Sequence, residues 1–106
     1  MTIMEWKYSA GFSPAEFASA ISISDDYTLA ESEKDLFLSF TCSAASKSIV
    51  LGIDPGAFMI VANIGGTNAV TVKAITGDTG TSVGAGKVAL VIGSATANAS
   101  KIYVLN

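Results

Sequence analysis

Residues 57–75 read AFMIVANIGGTNAVTVKAI, two apolar segments joined by a glycine-rich turn. The first segment is apolar at almost every position, which is typical of a strand that is central in a sheet or lies at an interface. The second alternates, with Val70, Val72 and Ala74 on one side, as in a strand with one buried face. The turn, Gly65-Gly-Thr-Asn68, has residue types that allow a tight connection. The stretch therefore predicts two β-strands.

Further strands are predicted on both sides of these two. Residues 35–42 alternate, with Leu36, Leu38, Phe40 and Cys42 facing one way. Short apolar segments at 48–52, 87–92 and 101–105 are separated by turns such as Asp54-Pro-Gly56 and Gly84-Ala-Gly86, and residues 43–47 and 77–82 read as loops. Short strands at this spacing predict an all-β domain over residues 27–106, an antiparallel β-sandwich or jelly-roll-like fold.

Residues 1–26 are predicted to form an N-terminal arm, extended over residues 1–12 and helical over about 14–20. Ser13 is the expected N-cap, Pro14 the first helical residue and Glu16 the partner in a capping box. Four aromatic residues lie in this arm, and they either cover an open end of the domain or act as anchors on a neighbouring subunit. They are Trp6, Tyr8, Phe12 and Phe17.

The composition favours association with other proteins. Charged residues make up 14% of the 106-residue chain, against about 25% in a typical soluble domain. Residues 1–42 carry seven carboxylates and two lysines, and residues 43–106 carry two carboxylates and four lysines. A surface so poor in charge is expected to be partly buried in an oligomer, and the two parts are expected to have different neighbours.

Composition also argues against several partners. The net charge of −3, with six scattered lysines and no arginine, opposes nucleic-acid binding. No apolar run approaches the ~18 residues of a membrane helix. The start of the chain does not resemble a signal peptide, so synthesis in a cytoplasm and no membrane partner are expected. Cys42 is the single cysteine, which excludes an internal disulfide and a cysteine-based metal site.

The order of segments from Tyr27 to Leu105 resembles the small β domains of tailed-phage virion proteins. The similarity runs through Tyr27-Thr-Leu-Ala-Glu-Ser-Glu-Lys-Asp-Leu-Phe-Leu38, Ser48-Ile-Val-Leu51, Phe58-Met-Ile-Val-Ala-Asn-Ile-Gly-Gly66, Ala69-Val-Thr-Val-Lys73, Gly84-Ala-Gly-Lys-Val88 and Ile102-Tyr-Val-Leu105. That group includes capsid decoration (cement) proteins, head fibres and tail-fibre modules. The absence of an internal repeat or a heptad run favours a decoration protein over a fibre.

This resemblance implies a homotrimer on the outer surface of a capsid, with the major capsid protein as partner, no enzymatic activity and no cofactor. The segments 58–64 and 87–92 would supply core and trimer contacts. The interface candidates are Phe58, Ile60, Val61, Ile64, Val88 and Leu90. The alternative is a receptor- or glycan-binding module of a head fibre or tail fibre, with Tyr27 beside Asp25 and Asp26, or Tyr103 near Asn98, as candidate sites.

Several other residues are candidates for cation binding, phosphate binding or catalysis. The acidic residues between 25 and 35 either bind a cation or form a solvated edge facing a basic surface; they lack the spacing of an EF-hand loop. Asp78, Thr79 and Ser82 lack a histidine base, which leaves a lysine base or a carboxylate pair as the alternatives. Gly65–Asn68 and Gly84–Lys87 are read as turns, not phosphate loops. Cys42 is read as a core residue, and no catalytic or metal-binding residue is predicted.

Overall fold

A computed structural model of the chain describes residues 20–105. Within this range, nine short strands and one turn of 3₁₀ helix at Glu31–Glu33 make up the regular structure, which confirms the all-β class. The strands are β1 (Ile21–Ile23), β2 (Tyr27–Thr28), β3 (Phe37–Cys42), β4 (Lys47–Val50), β5 (Phe58–Asn63), β6 (Val70–Lys73), β7 (Thr81–Val83), β8 (Val88–Ile92) and β9 (Lys101–Val104). β1 belongs to a sheet although it precedes residue 27.

The strands form two mixed sheets. One has five strands in the order β1-β3-β5-β8-β9, and the other has four in the order β2-β4-β6-β7. From β1 to β6, each strand lies in the opposite sheet from the strand before it. Among these six strands, neighbours within a sheet are therefore connected through a strand of the other sheet.

The antiparallel pairing predicted from the sequence is wrong for the first six strands. β1–β3, β3–β5, β2–β4 and β4–β6 are all parallel, and only the pairs that include β7, β8 or β9 are antiparallel. The sequence predicts a loop at residues 43–47 and a turn at 65–68, and in the structure residues 43–46 and 64–69 carry the chain to the opposite sheet. Parallel neighbours need a long crossover connection, and the intervening strand supplies it.

The core contains side chains from both sheets. Phe40, Val61 and Val91 of the five-stranded sheet and Val72 and Val83 of the four-stranded sheet are fully buried in one cluster. Leu38, Phe40 and Cys42 are buried on one side of β3, as their alternation predicts. Leu36, predicted on the same side, precedes β3 and is exposed.

Two predicted turns are confirmed. The Ala57 N–H donates to the Asp54 carbonyl at 3.0 Å, and Gly56 has a φ of 81°. The Lys87 N–H donates to the Gly84 carbonyl at 3.0 Å, and Gly86 has a φ of 79°. In both turns glycine occupies the position whose positive φ other residues adopt only with strain.

The predicted loop at 77–82 instead leads into β7. Gly80 precedes this strand with a φ of 84°, and a Cβ there would lie 2.7 Å from the Val72 carbonyl oxygen. Glycine therefore allows β7 to approach β6 closely enough to pair with it. Thr81 and Ser82 have no apolar pattern, and the burial of Val83 is what anchors the strand.

Asn63 is a polar residue inside the apolar core. Its side chain is 1% exposed at the end of β5. Its Nδ2 donates to the carbonyls of Asn68, at 2.9 Å, and Val83, at 3.0 Å, while its Oδ1 accepts the Gly65 N–H at 3.2 Å. The amide thus joins β5 of one sheet to β7 of the other, and fixes the turn between β5 and β6.

Candidate functional site

The register of β5, β8 and β9 aligns their outward-facing side chains. Ile60 pairs with Leu90, and Leu90 pairs with Tyr103. Because side chains alternate along a strand, these residues point away from the core, which holds Met59, Val61 and Val91. We call this surface the apolar face, and it comprises Phe58, Ile60, Val88, Leu90, Ile92 and Tyr103.

The apolar face is accessible to solvent. Phe58 is 54% and Tyr103 is 51% exposed, and the remaining four residues are partly exposed. Lys101, which pairs with Ile92, is the charged residue aligned with them on these three strands. A contiguous exposed patch of this kind is typical of a protein–protein contact, because its burial removes apolar area from water.

The outer side of the four-stranded sheet has the opposite character. Its outward positions pair across the strands as Ser48 with Thr71, Thr71 with Ser82, and Val50 with Lys73. Four of its six residues carry hydroxyl groups and one is a lysine; we call it the polar face. The set is Thr28, Ser48, Val50, Thr71, Lys73 and Ser82. Among the described strands, the outward positions of β5, β8 and β9 are thus mainly apolar, and those of the four-stranded sheet are mainly polar.

The structure places four of the six predicted interface residues on the apolar face. Phe58, Ile60, Val88 and Leu90 lie together on the apolar face. Val61 does not lie there. Its side chain points to the opposite side of β5 from that of Ile60, into the core, where it is fully buried. Ile64 follows directly after β5 and is 42% exposed.

Two residues of the apolar face are absent from the sequence-based set. Ile92 continues the alternation of Val88 and Leu90 along β8, and Tyr103 lies beside Leu90 on β9. The alternation of β8 was the available signal for Ile92. Tyr103 could not be placed from the sequence, because its position depends on the pairing of β9 with β8.

Residues 1–19 of the predicted arm lie outside the described residues, whereas residues 20–26 are described and include β1. Trp6, Tyr8, Phe12 and Phe17 all precede residue 20, as does nearly all of the helix predicted at 14–20. The chain enters the described range at Ala20, directly before β1, an edge strand of the same sheet that carries the apolar face.

The acidic residues between 25 and 35 have partners within the domain. Asp25 forms an ion pair with Lys47 at 3.3 Å, Asp26 accepts the Ser48 N–H at 3.0 Å, and Glu31 pairs with Lys34. Over residues 20–105, no three histidine, cysteine or acidic side chains converge as metal ligands. The carboxylates instead fasten the β2 region to β4 and to the 3₁₀ turn.

Glu33 is held by two donors. The Tyr27 hydroxyl donates to Oε2 at 2.6 Å, and the Ala30 N–H donates to Oε1 at 2.8 Å. These bonds favour the ionised carboxylate and hold the pKa of Glu33 below its usual value. The same contact, together with partial burial, raises the pKa of Tyr27.

Tyr27→Phe is expected to move the pKa of Glu33 back towards its usual value, because the stronger of its two donors is lost. In the wild type the contribution of Glu33 to stability is present above the pKa of the unfolded carboxyl and is lost as pH falls through the lower folded pKa. An NMR titration of the Glu33 side-chain carboxyl in both proteins checks this. An unchanged pKa in Tyr27→Phe would contradict it.

Asp78, considered from the sequence with Thr79 and Ser82 as a possible hydrolytic cluster, accepts hydrogen bonds from three backbone N–H groups. It is 6% exposed, and its Oδ2 accepts the N–H groups of Ala74, at 3.1 Å, and Ile75, at 3.2 Å. Its Oδ1 accepts the Asn98 N–H at 2.6 Å, and the Asn98 side chain in turn accepts the Thr79 N–H at 2.7 Å. This reciprocal pair fastens the loop before β9 to the turn after β6.

Asp78→Ala is expected to lower the free energy of unfolding by about 1.5–3 kcal/mol, because three N–H donors lose a charged acceptor. Amide exchange at Ala74, Ile75 and Asn98 should accelerate more than exchange at Val61. Asp78→Asn keeps the shape of the side chain but turns an NH2 group towards at least one of these N–H donors, so it is also expected to be destabilising. Equal exchange rates in Asp78→Ala and wild type would contradict this role.

The remaining candidate groups are engaged or buried. Cys42 is 7% exposed and its thiol donates to the Ala44 carbonyl at 3.1 Å. Of the glycan candidates, the Tyr27 hydroxyl is bonded to Glu33 and the Asn98 amide oxygen to Thr79, while Tyr103 lies on the apolar face. A helix long and apolar enough to cross a membrane does not occur between residues 20 and 105.

Comparison with family models, with curated proteins and with solved structures finds no match to this chain.

Proposed function

We propose that this chain is a non-enzymatic assembly protein of a virion, a capsid decoration (cement) protein of a tailed phage that binds the outer shell as a homo-oligomer. The observation that carries the proposal is the contrast between the two outer sides of its β-sandwich-like domain. The apolar face offers six aligned hydrophobic residues to a protein partner, and the polar face offers hydroxyl groups and a lysine to water.

The mechanism is purely associative. Burying the apolar face removes apolar area from water, at about 25 cal/mol per Å² before the entropic cost of association is subtracted. A trimer multiplies the contacts made by each decorating unit, so weak individual contacts with the major capsid protein add up to firm attachment. In this role the protein stabilises the shell by bridging its subunits, and its location is the capsid surface.

The alternative from the sequence, a receptor- or glycan-binding module, has less support. Sugar-binding sites need exposed polar groups beside an aromatic ring. The hydroxyl of Tyr27 and the amide oxygen of Asn98 are both occupied within the chain. The charged residue on the same side of β9 as Tyr103 is Lys101, not a carboxylate.

Co-sedimentation with purified undecorated capsids tests the proposal. Wild-type protein is expected to pellet with capsids in a saturable amount and to raise the temperature at which they open. Lys73→Ala, which changes the polar face, should behave like wild type. Failure of the wild-type protein to bind capsids at micromolar concentration would contradict the decoration function.

A further inference from the structure

We propose that β9 is a docking edge for a second copy of this chain, whose own β9 adds to it as an antiparallel strand across a two-fold axis. The inference goes beyond the proposed function and does not rest on it, because it concerns the backbone edge of the five-stranded sheet and not the binding of a capsid. Three features of the strand support it, namely the direction of its backbone groups, its composition and exposure, and the register that two copies can adopt.

The backbone groups on one side of β9 have no partner strand among residues 20–105. The Leu105 N–H donates to the Val88 carbonyl at 2.6 Å, so alternate residues from Leu105 back to Lys101 direct their N–H and C=O groups towards β8. The groups of Ile102 and Val104 therefore point to the other side, where β9 is the last strand of the sheet. Unpaired groups of this kind are a template for a further strand.

β9 lacks the features that usually keep a sheet edge from pairing. Natural edge strands are very short, or they carry charges, proline or a bulge. Residues 102–105 read Ile-Tyr-Val-Leu, without glycine, proline or charge, and Lys101 is the only charged residue of the strand. With four residues, β9 is also the longest of the described edge strands, since β1 and β7 have three and β2 has two. It is thus the edge that is most open to a partner strand.

Apolar side chains are exposed on both sides of β9. Tyr103, on the apolar face, is 51% exposed. Val104 pairs with Ala89 and lies on the same side as this fully buried residue, yet it is 40% exposed. A neighbouring strand would cover both, because the side chains of directly opposed residues lie about 5 Å apart. The partner that fits this edge is therefore a strand with apolar residues on both sides, as β9 itself is.

Two copies of β9 satisfy each other in one antiparallel register. Ile102 of each copy pairs with Val104 of the other, so that hydrogen bonds use all the outward N–H and C=O groups of both residues. Tyr103 then lies on the two-fold axis opposite its own copy, and such aromatic cross-strand pairs stabilise a sheet. Lys101 lies opposite Leu105, which separates the two lysines by about 14 Å at ~3.4 Å per residue, beyond the range of strong repulsion in physiological salt.

The pairing would extend the five-stranded sheet across the axis and keep both apolar faces on the same side, because Tyr103 lies opposite Tyr103. The contact is isologous and closes with two copies. One short strand from each copy buries less than the ~1,000 Å² that a stable interface needs. The pairing therefore adds to association through the apolar face without replacing it, and joins copies that this face or a shared partner already holds close together.

Disulfide trapping of the full-length protein tests the proposal. Tyr103→Cys places two thiols opposite each other in a pair without hydrogen bonds, where the Cα atoms lie about 4.5 Å apart, within the range of a disulfide. Lys101→Cys and Leu105→Cys are matched controls on the same side of the strand, and wild type controls for Cys42, which is 7% exposed. Under mild oxidation with copper phenanthroline in native buffer, Tyr103→Cys is expected to form covalent dimers about tenfold faster than either control alone.

Two further samples examine the register and the hydrogen bonds. An equimolar mixture of Lys101→Cys and Leu105→Cys is expected to give mainly the mixed disulfide, because these positions face each other across the axis. The double variant Tyr103→Cys/Val104→Pro loses one outward N–H and keeps the bonds of β9 to β8, and its crosslinking is expected to slow. Circular dichroism before oxidation shows that each variant is folded.

The contrary results are equally specific. Equal rates at positions 101, 103 and 105 would indicate random collisions and overturn the pairing. No dimer from Tyr103→Cys, as expected if another segment of the same chain covers β9, would also overturn it. A mixture that gives no excess of the mixed disulfide would contradict the register, and an unchanged rate in the folded double variant would contradict a hydrogen-bonded edge.

Discussion

Phe40→Ala is expected to lower the free energy of unfolding by about 3–5 kcal/mol. Phe40 is fully buried on β3, the second strand of the five-stranded sheet, where it lies between β1 and β5 in register with Ile21 and Asn63. Truncation removes its contacts and leaves a cavity that neighbouring strands cannot fill without breaking their pairing. Urea denaturation followed by circular dichroism measures the loss.

Phe58→Ala is the matched control for this prediction. The same side chain is removed, but Phe58 is 54% exposed on the apolar face. The isolated subunit is expected to lose less than about 1 kcal/mol, because little buried area is removed. Similar losses for the two variants in a monomeric state would show that Phe40 is not the centre of the core.

Asn63→Asp is expected to have a comparable effect, about 3–5 kcal/mol, although the shape of the side chain is nearly unchanged. The variant loses both donors of the Asn63 amide and places an acceptor against the carbonyls of Asn68 and Val83. Buried carbonyl groups without a donor, next to an unpaired charge, account for the cost. Because shape is retained, the loss reports the hydrogen bonds rather than the packing.

Asn68→Asp is the control for Asn63→Asp. Asn68 is only partly buried, and its side-chain amide donates a single bond, to the Cys42 carbonyl at 2.9 Å. Its replacement should cost about 1 kcal/mol. If thermal or urea unfolding showed equal losses at positions 63 and 68, the link from β5 to β7 would not be the stabilising element described above.

The strands that alternate clearly could be placed from the sequence, but their neighbours could not. The apolar positions of β3, β5, β6 and β8 fall within the predicted segments. Turn residues such as those at 43–46 show that the chain changes direction, but not whether it returns within one sheet or crosses to the other. The first six strands are paired in parallel because the chain crosses to the other sheet after each of the first five. Whether it crosses depends on how the two sheets pack around one core, which the turn residues do not show.

For the same reason, only part of the apolar face could be predicted from the sequence. Residues 58–64 are apolar on both sides, so the sequence alone does not show which set faces the core, and Val61 was placed with the outer set although it is buried. By alternation, Phe58 and Ile60 lie on the same side of β5, and Val88 and Leu90 lie on the same side of β8. Only the register between β5 and β8 shows that these two sides form one surface. The role of Asn63 could not be predicted from the sequence, because its hydrogen-bond partner Val83 lies twenty residues further along the chain.

Sedimentation velocity on full-length wild type, Leu90→Asp and Val50→Asp tests association through the apolar face most directly. Leu90 and Val50 are both partly buried strand residues, on the apolar and the polar face respectively. We predict an oligomer for wild type and Val50→Asp, and a folded monomer for Leu90→Asp, because burying a carboxylate against apolar side chains is costly. A monomeric wild type, or a Leu90→Asp variant that still forms the oligomer, would contradict association through this face.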